Sequence, residues 1–202
     1  MVVIGMTGGI GAGKSYVADI LRMRGIPVYD SDSRARLITA NDRQVKAGLT
    51  ALAGEALYAG GVFHKEILAE FIFGNNENME YVNGIIHPRV KDDFRQWTGT
   101  LAGYDICVLE SAILFESGFD RITDLTVCVD APLELRLQRC MKRDNTDRSS
   151  ILKRIRSQMD QDEKCRMADY VIVNDNVHDL ESQIDALIEK VRKTIDKKTE
   201  LC

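Results

Sequence analysis

The chain is 202 residues long, 45% hydrophobic and 29% charged, with a formal net charge of −4. A chain of this size buries a sizeable core in one domain with room for an insertion, and its slight acidity argues against broad nucleic-acid binding. No apolar run approaches the length of a membrane span, and the start of the chain has neither the basic flank of a signal peptide nor the glycine of a myristoylation signal.

Val2-Val3-Ile4-Gly5-Met6 is short and apolar, which predicts a buried parallel strand. It runs into Gly8-Gly9-Ile10-Gly11-Ala12-Gly13-Lys14-Ser15, which reads G-x-x-x-x-G-K-S, and from Tyr16 to Leu21 the apolar spacing turns helical. Strand, glycine loop and helix in succession are the context that a phosphate-binding P-loop requires. Its glycines let backbone N–H groups turn inward around phosphate oxygens, and the helix amino terminus adds its positive end. Lys14 then reaches the β- and γ-phosphates, and the Ser15 hydroxyl ligates Mg²⁺. A nucleoside triphosphate is the expected ligand.

The helix ends near Gly25, and Ile26-Pro27-Val28-Tyr29 predicts a second strand that delivers Asp30-Ser31-Asp32 at its carboxyl end. Ligands of open α/β sheets gather there. Two acids at i and i+2 suit a place near Mg²⁺ or acceptance of a proton from a hydroxyl. Asp30 reads equally well as the cap of a helix beginning at Ser33.

From residue 33 to residue 102 the periodicity is helical, with Val45, Leu49 and Leu52 on one face and Ile67, Leu68, Phe71 and Ile72 on another. Turns are expected at Gly60-Gly61 and Gly74-Asn75-Asn76. A further helix is expected from Glu77 through Ile85, interrupted or restarted at His87-Pro88. Such a segment reads as a helical insertion that covers a substrate, leaving 1–32 and 103–202 as the nucleotide-binding core. His64 and His178 lack ligand spacing and read as surface residues.

Three further apolar runs predict strands: Tyr104 to Leu109, Thr126 to Asp130 and Tyr170 to Val173. Leu180, Ile184, Leu187, Ile188, Val191 and Ile195 then mark one face of a closing amphipathic helix. Strands alternating with helices predict an α/β fold with a five-stranded parallel sheet and helices on both faces. Between strands four and five arginine recurs at 136, 139, 143, 148, 154, 156 and 166. This cluster suits a lid over about 140–165 that spreads charge around a transferring phosphoryl group; the competing reading is a solvated helical hairpin whose arginines pair with Asp144, Asp147, Asp160 and Asp162. Cys107, Cys128, Cys140, Cys165 and Cys202 are odd in number and lack C-x-x-C spacing, which predicts reduced thiols in a cytoplasm.

Thr7 to Ser15, Val28-Tyr29-Asp30-Ser31-Asp32, Ile86-His87-Pro88, Ile113-Leu114-Phe115-Glu116, Arg154-Ile155-Arg156-Ser157-Gln158 and Ala168 to Asn174, in that order, resemble dephospho-CoA kinase. The resemblance covers the chain from Val3 to about Ile188. It implies a P-loop kinase core with a helical CoA-binding domain and a lid, and transfer of the γ-phosphate of ATP to the ribose 3′-hydroxyl of dephospho-CoA. It further implies that Gly11, Ala12, Gly13, Lys14, Ser15, Tyr16 and Arg139 bind ATP, with Ser15 on Mg²⁺. Asp32 is the implied general base, with Lys14 and Arg143 beside it in catalysis, and Asp32, Lys65, His87 and Glu116 belong to the substrate side. Four positions depart from the family pattern. Tyr16 stands for threonine, Lys65 for arginine, Ala112 for proline and Asn176 for glycine. Lysine at 65 keeps the charge without the planar fork, and asparagine at 176 tolerates a left-handed backbone.

Two other readings fit the motif. One is another small-molecule P-loop kinase acting on a nucleotide or nucleoside. The other is a GTP-driven switch, against which stands the lack of an N-K-x-D guanine-reading run. A monomer or small homo-oligomer is expected, without nucleic-acid or membrane partners.

Overall fold

The computed structural model describes residues 1–200; Cys202 of the cysteine count lies outside them. Five strands form one sheet: β1 (Val2–Thr7), β2 (Val28–Asp30), β3 (Ile106–Glu110), β4 (Leu125–Asp130) and β5 (Tyr170–Val173), in the order β2-β3-β1-β4-β5. The strands run parallel: Val2 faces Ile106 in β3, Ile4 faces Leu125 in β4, and β4 pairs Val127 with Tyr170 in β5. A parallel sheet covered by helices needs strands that are apolar on both faces, and β3 is buried along its whole length. The second strand starts at Val28, two residues later than the sequence suggested. Pro27 has no N–H for a ladder, yet its carbonyl accepts the Val108 N–H at 2.9 Å.

The helices are α1 (Lys14–Met23), α2 (Ser31–Asn41), α3 (Arg43–Ala53), α4 (Lys65–Ile72) and α5 (Asn76–Gly99) before β3. After β4 come α6 (Leu133–Asp144), α7 (Arg148–Arg156), α8 (Gln161–Met167) and α9 (Leu180–Glu200). The chain divides into two compact units, residues 30–102 and the remainder. In the sheet-bearing unit, Val17, Ala18, Ile20 and Leu21 of α1 and Ile184, Leu187, Ile188 and Val191 of α9 share one core with Ile4, Met6, Val108 and Val129. In the α6–α7 hairpin Leu137, Cys140 and Ile151 are buried together, and Ile10 of the P-loop packs against them.

The helical unit has its own core of Val45, Leu49, Leu57 and Val82, against which Leu52, Ile67, Leu68, Phe71, Ile72 and Ile85 pack. α2 begins at Ser31 rather than Ser33 because Asp30 is its cap: Oδ1 accepts the Ser33 N–H at 2.9 Å and Oδ2 the Ser33 hydroxyl at 2.6 Å.

α5 corrects the reading of His87-Pro88 as a break. It runs unbroken for 24 residues with Pro88 inside it. Proline removes one i→i−4 hydrogen bond and crowds the carbonyl four residues back. Here that residue is Gly84, whose Cβ position meets nothing within 4 Å. Val82 on one side of Pro88, and Val90 and Phe94 on the other, are buried. Their burial carries the helix across the lost bond, as tertiary packing commonly overrides a local signal.

Candidate active site

β1 delivers the P-loop at its carboxyl end, and α1 starts from it at Lys14 with no side chain capping its amino terminus. Uncapped N–H groups at a helix start form a ready anion site. Gly13 has φ 96°, and a Cβ there would lie 2.1 Å from Asn174 Nδ2. Glycine at 13 is therefore a requirement of backbone shape and of space. Lys14 Nζ donates to the Gly8 carbonyl at 2.9 Å. The exposed Ser15 hydroxyl lies 3.4 Å from Glu110 Oε1 at the end of β3. Tyr16 is 60% exposed in the first turn of α1.

Arg139 on α6 bridges the loop to the segment after β5. It donates to the Ala12 carbonyl at 3.3 Å, to Asn174 Oδ1 at 3.3 Å and to Asn176 Oδ1 at 2.9 Å. Asn174 itself donates to the Ala12 carbonyl at 2.9 Å. Asn176 adopts φ 67°, the left-handed conformation for which glycine or asparagine is suited. Gly11, Gly13, Lys14, Ser15, Arg139 and Arg143 line a cleft of about 150 Å³. Six of the residues predicted to handle phosphate thus come together in one place. Four are cationic or hydroxyl-bearing, and α1 starts among them at Lys14.

Arg143 reaches this cleft while its guanidinium is paired. Nε and Nη2 bind Asp144 at 2.6 and 3.1 Å, and Arg154 binds the same carboxylate at 2.6 Å. These two arginines hold Asp144 well below the usual carboxylate range, through hydrogen bonds first and charge second. Arg148 pairs with Glu134 at 2.6 Å. The α6–α7 hairpin therefore satisfies several of its arginines internally.

Glu116 accepts from the Met159 N–H at 3.0 Å and pairs with Lys164 Nζ at 2.9 Å. Lys164 is wholly buried and also donates to the Ala112 carbonyl at 2.5 Å. Glu116 is thereby a strut between the segment after β3 and α8. Asp32, Lys65 and His87 lie in the helical unit, where Asp32 is half-buried in the first turn of α2 and Lys65 opens α4. His87 sits mid-α5, and burial, reinforced by nearby Lys91, pushes its imidazole below the ordinary histidine range. His64 bonds Glu66 at 3.2 Å, and His178, 64% exposed, pairs with Asp175 at 2.8 Å. The four described cysteines are free. Burial pushes the Cys107 thiol up to about 11, so it stays protonated and is no nucleophile near neutrality.

The sequence reading passed over Glu110 and Asn174. Glu110 could have been found as a carboxylate that ends an apolar run, here the strand β3, where Met6 of β1 faces it. Asn174 gave no local signal, since its role depends on contacts across 162 positions of sequence.

Residues 2–179 match the family described as CoaE: Dephospho-CoA kinase. The chain is 48% identical over 185 residues to a dephospho-CoA kinase of Bacteroides fragilis (strain YCH46), covering 92% of this chain and 90% of that protein. It is 44% identical over 193 residues to that of Porphyromonas gingivalis, covering 95% of each. The crystal structure of TT1252 from Thermus thermophilus superposes with a TM-score of 0.82 at 33% identity, over 96% of this chain and 97% of that one. A shikimate kinase from Acinetobacter baumannii, at TM-score 0.53 and 14% identity over 96% and 94% of the two chains, shares the fold alone. With a P-loop in its strand–helix setting, a cation-lined cleft beside it and relatives aligned over almost their full length, the chain is a phosphotransferase that belongs to the dephospho-CoA kinase family.

Proposed function

We propose that the chain transfers the γ-phosphate of ATP to the 3′-hydroxyl of dephospho-CoA, giving coenzyme A and ADP. The observation that carries this reading is the cleft of Lys14, Ser15, Arg139 and Arg143 at the P-loop, in a chain matched to this family over residues 2–179. In this reading the backbone N–H groups from Gly11 to Ser15 hold the β- and γ-phosphates. Lys14 leaves the Gly8 carbonyl for phosphate oxygens, where its charge counts most as negative charge spreads over the transferring group. Arg139 keeps the loop and the segment after β5 together at the nucleotide.

The Ser15 hydroxyl and the Glu110 carboxylate offer two hard oxygens 3.4 Å apart at the cleft, a donor set that suits Mg²⁺. Ser15 and Glu110 would hold Mg²⁺ there, and the bound ion would supply positive charge against that of the nucleotide phosphates. Asp32 orients the acceptor hydroxyl and takes its proton as the bond to phosphorus forms. Lys65, His87 and Glu116 serve the acceptor side, with residues 33–102 as the substrate-binding insertion and 140–165 as the lid. The reaction belongs to the cytoplasm, where free thiols persist, and the enzyme works as a monomer or small homo-oligomer. Among the described residues no helix is long and apolar enough to cross a membrane.

The test is incubation of purified protein with Mg²⁺-ATP, with and without dephospho-CoA, following ADP and CoA. ADP release that depends on dephospho-CoA, with CoA formed in equal amount, is the expected result. Absence of CoA alongside efficient phosphorylation of adenosine or a nucleoside monophosphate would overturn the reading.

A further inference from the structure

Gln161, the first residue of α8, is 8% exposed, and both ends of its amide are committed. Its Oε1 accepts the Gly9 N–H at 2.6 Å. Its Nε2 donates to Asp130 Oδ1 at 2.8 Å and to the Val129 carbonyl at 3.1 Å, both at the end of β4. Arg136 on α6, 4% exposed, donates Nε to the carbonyl of the next loop residue, Ile10, at 3.0 Å. Two consecutive residues of the P-loop are thus held by side chains of α6 and α8, the helices before and after α7. The fit is close: a Cβ on Gly9 would lie 2.3 Å from Arg136 Nη2 and 2.7 Å from Gln161 Oε1.

These contacts use the outer face of the loop's first half. Gly11, Gly13, Lys14 and Ser15 line the cleft, while the Ala12 N–H turns back to the Gly9 carbonyl at 3.1 Å. The loop has glycines at 8, 9, 11 and 13, and a glycine-rich backbone has many shapes to choose from. An external grip removes that freedom before any ligand arrives, which is how preorganisation raises affinity. One turn beyond Gln161, wholly buried Lys164 ties α8 to Glu116 and to the Ala112 carbonyl. α8 is therefore seated on the ends of β3 and β4 while Gln161 reaches the loop.

We propose that Gln161 is a positioning residue for phosphoryl transfer, acting through the Gly9 N–H to hold the P-loop in its phosphate-binding shape and so linking the seating of α8 to nucleotide affinity. The proposal rests on the reading that this loop binds ATP. It implies that Gln161 affects ATP and leaves the acceptor alone.

Two substitutions separate its arms. Gln161→Met keeps the length and removes all hydrogen bonding. Gln161→Glu keeps an oxygen for Gly9 but sets a carboxylate against Asp130 and the Val129 carbonyl. A buried donor left without its partner loses enough free energy for a change of about tenfold or more. Steady-state kinetics on the full chain should show Gln161→Met raising KM for ATP about tenfold, with KM for dephospho-CoA within about twofold of wild type. Gln161→Glu should melt lower than Gln161→Met yet keep the lower KM for ATP of the two. A purely structural role predicts the reverse ranking, with KM for ATP following the melting temperature, and that result overturns the proposal. So does wild-type KM for ATP in both variants. Should Gln161→Met not fold, Gln161→Asn, too short to reach Gly9, takes its place with the same expectation. Wild-type protein without ATP-dependent CoA formation would instead refute the underlying function.

Discussion

Lys14 and Arg143 bring positive charge to one cleft but are held in different ways. Lys14 is bonded to the loop it serves, whereas Arg143 is 62% exposed and paired to the adjacent Asp144. Lys14→Ala should therefore cost orders of magnitude in kcat. If Arg143 acts on phosphate as proposed, it must first leave Asp144, so Arg143→Ala should lower kcat more than it raises KM for ATP; unchanged kcat would assign it to the solvated hairpin. The two aspartates after β2 divide similarly. Asp30 spends both oxygens on Ser33, so Asp30→Ala should lower stability by about 1 kcal/mol, read by urea unfolding. Asp32→Asn removes the charge and basicity of the proposed base. It should lower kcat about a hundredfold or more while ATP affinity stays nearly intact. Near-normal turnover in Asp32→Asn with a crippled Asp30→Asn would reverse the assignment. The sequence showed Lys14 and Ser15 because a P-loop motif is local. It did not show Glu110 or Gln161, whose partners lie 95 and 152 positions away.

Elements were legible where burial on both faces forces a continuous apolar run, as in β3 and β4. They were less legible where a local signal conflicts with packing, and α5 is the case in point. The rule that a residue before proline leaves the helical region is a statement about local sterics, and it gave way to Val82, Val90 and Phe94. This implies that α5 is under stress at one point. Pro88→Ala would restore a donor toward the Gly84 carbonyl and should raise the free energy of unfolding by about 1 kcal/mol or more. Chemical denaturation of wild type and variant checks this, and an unchanged or lowered midpoint would show that the helix has relaxed around the ring. The α6–α7 hairpin was legible as a cation-rich pair of helices, but the sharing of Asp144 by Arg143 and Arg154 depends on how the two helices pack, which spacing alone does not fix.

On the scale of the whole molecule, His87 links stability to pH. Burial, then Lys91, lowers its folded pKa below the unfolded value of about 6.5. Between the two values the unfolded chain binds more protons than the folded one, so stability rises with pH there. The contribution is complete above the unfolded pKa and is lost as pH falls toward the folded one. Melting temperatures at pH 7.5 and 5.5 should therefore fall further apart in wild type than in His87→Gln, and equal differences would show that His87 titrates normally. The sheet order has a consequence for the chain during synthesis. β1 lies in the centre, but its neighbours β3 and β4 begin near residues 106 and 125. At ribosomal rates of about 5–20 residues per second, the strand waits roughly 5–20 s for its first partner. Residues 30–102 emerge during that wait and need only one another to close a core, so local order precedes the sheet. A chain stalled before Ile106 should give helical circular dichroism from residues 30–102 while leaving Val2-Val3-Ile4 as an unpaired apolar edge. Such products are substrates for chaperones and a starting point for aggregation.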